Sequence, residues 1–392
     1  MKIFYHLILL ICLFTTLIIA NCSNSDRQKR IIKIGIYTNA SFRRLYNWQE
    51  IVLKQIASTS AIYDSAFGIR FVPISYSNWE ISDSGIDTKE LLTLLERYSQ
   101  ADMADIIIGY TFRPPGDYEQ QADADLVVGK GRILGRTVCL RYEMTDILNS
   151  EYLKFTLAHE IAHLFGAFHV DDSIKLMRSY SDGVVPQMVF DTCNKELIRN
   201  MKYYDFGKGV YSLTNSERAK IQMIYARRHA PGEQNPVAAA FIDLGMTYLS
   251  EPNMDSVRFA FGQALPYLDT SCTENLLLKS FVLQTVGDTD LAGQILNRLR
   301  NIDHLDARTL SNIGTIYLVR NKLIVAIEMF DRSLIMQPRY VNGLFGKALA
   351  LLALGDTVQA MVFINSTLSV DPSHPKAIET KNEILEKMRV PN

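Results

Sequence analysis

The chain has 392 residues, 48% of them hydrophobic, which is room for two or three packed domains. Its 41 basic and 42 acidic side chains leave a net charge of −1. There is no basic excess and no long run of like charge, so nothing points to a nucleic-acid partner.

The first element is Lys2 followed by an apolar run from Ile3 to Ala20, the pattern of an export signal. Such a run is also long enough for an uncleaved membrane anchor. Arg27, Lys29 and Arg30 just behind it argue against that, because positive charge prefers the cytoplasmic side. Ile19-Ala20-Asn21-Cys22 resembles a bacterial lipobox, with Asn21 in place of the usual Gly or Ala. The resemblance implies a signal peptide over 1–22, lipidation of Cys22 and attachment of an exported chain to a membrane of the cell envelope. Cleavage near Ala20, giving a secreted or periplasmic chain, is the alternative. Cys139, Cys193 and Cys272 remain beyond Cys22, in a setting that permits disulfides. None has C-x-x-C spacing, so no cysteine zinc site is read.

Ile31 to Thr38 is β-branched and alternating, which predicts a strand. Asn47 to about Ser65 has helical spacing of Ile51, Ile56 and Ile62, and Ile69 to Tyr76 is a second strand. Asp87 to about Gln100 is a helix with Asp87 as N-cap and Glu90 three residues on. Ala104 to Tyr110 is a continuous apolar run that suits a buried central strand. Pro114, Pro115 and Gly116 break the pattern. Strands over Asp125–Lys130 and Arg136–Tyr142 follow, then a helix from Glu151 to Phe165. This alternation predicts an α/β sheet packed on helices.

The last of these helices opens into HEIAHLFGAFH, residues 159 to 169, which holds three of the chain's 7 histidines. On a helix, His159 and His163 are one turn apart and face one metal ion. Glu160 sits about 100° around the axis, close enough to hold a water there. Gly166 lets the chain leave the helix with positive φ and fold back, bringing His169 as a third nitrogen. Three histidines leave one position open, as in a catalytic zinc site. Zinc there lowers the pKa of a bound water to about 7 and polarises a carbonyl, and Glu160 serves as the general base. Residue chemistry alone reaches zinc-assisted hydrolysis and stops.

The pattern H-E-x-x-H-x-x-G-x-x-H resembles the metzincin clan of zinc endopeptidases. The resemblance covers roughly 31–230 and implies cleavage of protein or peptide by one Zn2+ ion. It implies a Met-turn at Met177, and a specificity pocket walled by Arg178 to about Val189. LTNSERAKIQMIY (213–225) looks like the last helix of the matrixin branch, and MVFDTCNKELI (188–198) like the C-terminal helix of the adamalysins. The second likeness implies a Cys139–Cys193 disulfide, and the branch stays open. Tyr180 falls one residue late for the zinc-reaching tyrosine of astacins and receives no role. In this clan the substrate lies extended along an edge strand, here Asp125–Lys130. About nine residues separate Cys22 from the first strand, so a cysteine-switch latency is not expected.

Strand signals end near Leu213, and a period of 34 takes over. Pro338 and Pro372 keep it, as do Ala292, Ala326 and Ala360, and Gly287, Asn321 and Gly355. Ile313, Gly314, Tyr317, Ala326, Phe330 and Pro338 stand where a tetratricopeptide (TPR) repeat has them. The resemblance implies four repeats (238–272, 273–306, 307–340 and 341–374) and a capping helix and tail over 375–392. The second repeat departs from the pattern at Lys279 and Ser280. Such repeats stack into a superhelix whose concave face takes a protein partner, and the residues named here are its core packing. The expected whole is an α+β metzincin-like zinc protease domain, with a mixed twisted sheet and a long zinc-binding helix, followed by an all-α TPR superhelix. A surface TPR scaffold with an inactive zinc domain is the rival expectation.

Overall fold

The computed structural model describes residues 29–81, 86–113, 129–143, 150–172, 174–178, 187–249 and 253–389. The expected signal segment with Cys22, residues 125–128 of the expected edge strand, and Tyr180 lie outside these. The chain divides into two compact units between Pro252 and Asn253.

The strands of the first unit are β1 (Arg30–Thr38), β2 (Ile69–Asn78), β3 (Ile106–Phe112), β4 (Gly129–Gly131) and β5 (Thr137–Tyr142). Its helices are α1 (Ala40–Arg43), α2 (Trp48–Phe67), α3 (Thr88–Tyr98), α4 (Ser150–Leu164), α5 (Thr192–Asn200), α6 (Asn215–Arg227) and α7 (Pro236–Leu249). The strands form one sheet in the order β2-β1-β3-β5-β4. All neighbours run parallel except β4, which pairs antiparallel with β5 at the edge. The apolar run IIIGYTF of β3 is buried along its whole length, as a strand covered on both faces must be.

The Asp87 side chain accepts the Glu90 N–H at 2.7 Å and starts α3 as its sequence predicts. Leu91, Leu92 and Leu95 of α3 then pack on Tyr37, Trp79, Ile107 and Cys139, covering one face of the sheet. α2 and α4 cover the other. There Gln55 bonds the Tyr142 hydroxyl, and the Tyr63 hydroxyl donates to the Ala158 carbonyl at 2.9 Å. Successive side chains of a strand point to opposite faces. Cys139 therefore points to α3, while Tyr142 points to α2 and α4. Cys193 lies on α5, which packs against α2 and α6. The expected Cys139–Cys193 disulfide is absent, because the sheet stands between the two thiols.

α7 was expected to open the repeat array, yet it belongs to the first unit. Asn235 at its start donates to Gln222 of α6 at 2.6 Å, and Asp243 pairs with Arg132 at 3.3 Å.

The second unit holds α8 (Met254–Ala264), α9 (Thr273–Val286), α10 (Thr289–Arg300), α11 (Ala307–Val319), α12 (Leu323–Met336), α13 (Val341–Leu354), α14 (Thr357–Val370) and α15 (Pro375–Arg389). Helices α9, α11 and α13 start 34 residues apart, and each pairs with the helix that follows it. Asp288, Asp306 and Asp356 cap α10, α11 and α14 by accepting the N–H three residues on. Leu296, Ile313, Tyr317, Ala326, Met329 and Phe330 share one core. Ala377 and Ile384 of α15 pack with Ala348 and Ile364. Ser280 occupies its small-residue position fully buried, its hydroxyl satisfied by the Leu277 carbonyl at 2.7 Å. The unit is thus a stack of helical-hairpin repeats closed by a last helix. Among the described residues, no helix is long and apolar enough to cross a membrane.

Candidate metal centre

α4 presents His159 and His163 one turn apart, with Glu160 next to His159, and ends at Leu164. Gly166 follows with φ +83. Its N–H bonds the His163 carbonyl at 2.9 Å, and the Ala167 N–H bonds the Ala162 carbonyl at 3.0 Å, a left-handed helix stop. The reversal brings His169 back over the helix. The Nε2 atoms of His159 and His169 stand 3.2 Å apart, as do those of His159 and His163. All three histidines offer a ligand atom within 4.8 Å of the others.

The outer ring nitrogens decide what the inner ones are. His159 Nδ1–H donates to the Leu176 carbonyl at 2.8 Å, and His163 Nδ1–H to the Ala167 carbonyl at 2.8 Å. His169 Nδ1–H donates to Glu233 Oε2 at 3.0 Å. In neutral rings every Nε2 then carries a bare lone pair directed to one point. Burial holds His159 down to about 3, with repulsion from His169 adding to it, and burial likewise pushes His163 well below its ordinary value. Burial also works against protonation of His169, but the hydrogen bond and charge of Glu233 outweigh it and raise that ring. Bare lone pairs at 3.2 Å repel one another unless a cation lies between them. Tetrahedral zinc with Zn–N near 2.0–2.1 Å places neighbouring nitrogens roughly 3.3 Å apart, so the donor set and its spacing fit that ion.

Glu160 is buried beside this point, and burial pushes its carboxyl up to about 7, against the opposing Gly131 N–H and the charges of His169 and Lys130. Its Oε2 accepts the Gly131 N–H at 2.6 Å. β4 reaches α4 this closely because its contact residues are glycines. A β-carbon on Gly131 would lie 2.3 Å from the Glu160 carbonyl oxygen, and one on Gly129 would lie 2.8 Å from Glu160 Cγ.

Met177 is fully buried, and its carbonyl accepts the Val170 N–H at 2.7 Å. Together with Leu176, which receives the His159 proton, it ties the turn of residues 174–178 to the segment just after His169. Two residues that sequence reasoning did not select complete the surroundings. Asn194 is fully buried and clamps the Phe168 backbone, accepting its N–H at 3.0 Å and donating to its carbonyl at 2.9 Å. Glu233 holds His169 through both carboxylate oxygens, the second on the backbone N–H at 3.2 Å. Neither carries a local signal, since each meets the motif only through the fold.

No family model and no curated protein matches the chain. Among solved structures, it is similar to YrrB, described as a TPR protein with an unusual peptide-binding site, at 15% identity over 43% of this chain and 81% of that one, with a TM-score of 0.31. It is similar to MamA at 18% identity over 37% of this chain and 84% of that one, with a TM-score of 0.29. It is also similar to an archaemetzincin from Methanopyrus kandleri, at 18% identity over 45% of this chain and 97% of that one, with a TM-score of 0.33. At such distances it is the arrangement of the residues that bears the functional reading.

Proposed function

We propose that the first unit is a zinc-dependent endopeptidase of the metzincin kind and that the helical repeats are its protein-interaction module. The observation that carries this is the convergence of the His163 and His169 Nε2 atoms, each 3.2 Å from that of His159, with a buried carboxylate beside them. His159, His163 and His169 would hold the ion. When bound, zinc supplies Lewis acidity, acidifying a water and polarising the scissile carbonyl. Glu160 takes the proton of the attacking water on its carboxylate and returns it to the leaving amine nitrogen. A substrate strand pairs along β4, which brings its backbone next to Glu160. Met177 and the turn around it hold His159 and the segment of His169 in place. The chain is exported, and Cys22 carries the lipid that attaches it to the membrane.

The test is metal content joined to hydrolysis. Purified protein should hold close to one zinc per chain and cut unstructured peptides. A chelator should stop the cutting, added zinc should restore it, and His163→Ala should abolish both. Metal-free protein that cuts equally well overturns the reading. A Cys22→Ala chain should move from the membrane fraction to the soluble one.

A further inference from the structure

His169 differs from the other two histidines in how it is held. His159 and His163 ride on α4 and give their outer protons to neutral backbone carbonyls. His169 lies beyond the helix, and its outer proton goes to an anionic side chain at 3.0 Å. Both oxygens of Glu233 contact this residue, one on the ring and one on the backbone N–H at 3.2 Å. The loop that carries Glu233 is also held by bonds that do not involve its carboxylate. The Tyr225 hydroxyl bonds the Glu233 carbonyl at 2.7 Å, the Glu233 N–H bonds Ala230 at 3.1 Å, and the Ala230 N–H bonds the His169 carbonyl at 2.9 Å.

We propose that Glu233 is a positioning residue of the metal centre, fixing the tautomer and orientation of His169 and making its Nε2 a stronger ligand. This rests on the reading that the three histidines hold zinc. A carboxylate behind a ligating imidazole orients the ring, increases its basicity and brings negative charge toward a divalent ion. With Glu160 it places two carboxylates around a group of otherwise neutral ligands. Affinity for the ion thus depends on a residue 64 positions from the nearest ligand.

The test is zinc affinity of the full chain, stripped of metal and titrated in competition with a chromophoric chelator. Glu233→Gln keeps the shape and removes the charge. It should bind zinc about 10- to 100-fold more weakly than the wild type. Glu233→Asp keeps the charge and should recover part of the loss. With Co2+ in place of zinc, the d–d bands of Glu233→Gln should shift from those of the wild type. Metal-free wild type and Glu233→Gln should melt within about 2 °C of each other, no more than about 1 kcal/mol moves a unit of this size. Zinc affinity in Glu233→Gln within twofold of the wild type overturns the proposal. So does equal weakening in both variants accompanied by lower metal-free melting, which would mark a purely structural loop contact. Wild type that takes up no zinc or cobalt overturns the metal reading itself.

Discussion

Gly131 has no space for a side chain, since its β-carbon would meet the Glu160 carbonyl oxygen at 2.3 Å. That oxygen belongs to helix backbone and cannot swing aside, so β4 would have to move. Gly131→Ala should displace the N–H that Glu160 Oε2 accepts and lower kcat for peptide cleavage by at least about tenfold, which corresponds to ~1.4 kcal/mol on the barrier. Zinc content should stay near that of the wild type, because the three ligands come from α4 and the segment after it and none from β4. Full activity in Gly131→Ala would mean that the close approach of β4 to α4 has no part in catalysis. Gly166 is the other glycine on which the centre depends. With φ +83, and Leu134 Cδ2 at 2.8 Å from a β-carbon, Gly166→Ala should cost about 1–3 kcal/mol in metal-free stability. Denaturant melts would measure it.

Elements were legible where their signals are local. Asp87 and Glu90 announce the start of α3, the spacing of His159 and His163 sets one face of α4, and Gly166 marks its end. The 34-residue period places α9, α11 and α13 correctly. What a sequence alone does not carry is which face of a sheet a strand residue occupies against a distant helix. That is why Cys139 and Cys193 looked like partners and are not. For the same reason Asn194 and Glu233 were missed, and α7 was assigned to the repeats although its polar contacts are with Gln222 and Arg132. Gly346 was also missed, although a β-carbon there would lie 2.3 Å from Phe330 Cε1. Gly346→Ala should destabilise the repeat unit by about 1–3 kcal/mol, and by much less in a Phe330→Leu background, where the obstructing ring is gone. Equal cost in both backgrounds would place the strain elsewhere. α6 gives a pH signature. Thr214 and Glu217 form a capping box that holds the Glu217 carboxyl below its usual range, through bonds from the Thr214 N–H and hydroxyl. A depressed folded value means that this stabilisation is complete above the unfolded pKa, near 4.3, and is lost as pH falls through the folded value. The melting-temperature advantage of wild type over Glu217→Gln should therefore be present at pH 6 and shrink progressively as pH falls below the unfolded pKa.

Over the whole molecule, two units with separate cores should respond separately to metal. A ligand that binds only the folded state stabilises that state, by about 2.7 kcal/mol at 100 times its Kd. In calorimetry of the full chain, zinc should move one unfolding transition upward and leave the other, that of the repeats, where it was. A single transition that shifts as a whole would mean that the units unfold as one. The central claim is that the histidine cluster and Glu160 together form a peptidase. The most direct measurement compares wild type and Glu160→Ala on a mixed peptide library, with zinc quantified on the same samples. The account predicts near-equal zinc in the two proteins, defined cuts by the wild type and none by the variant. Cuts that persist in Glu160→Ala, or zinc-loaded wild type that leaves every peptide intact, would contradict it.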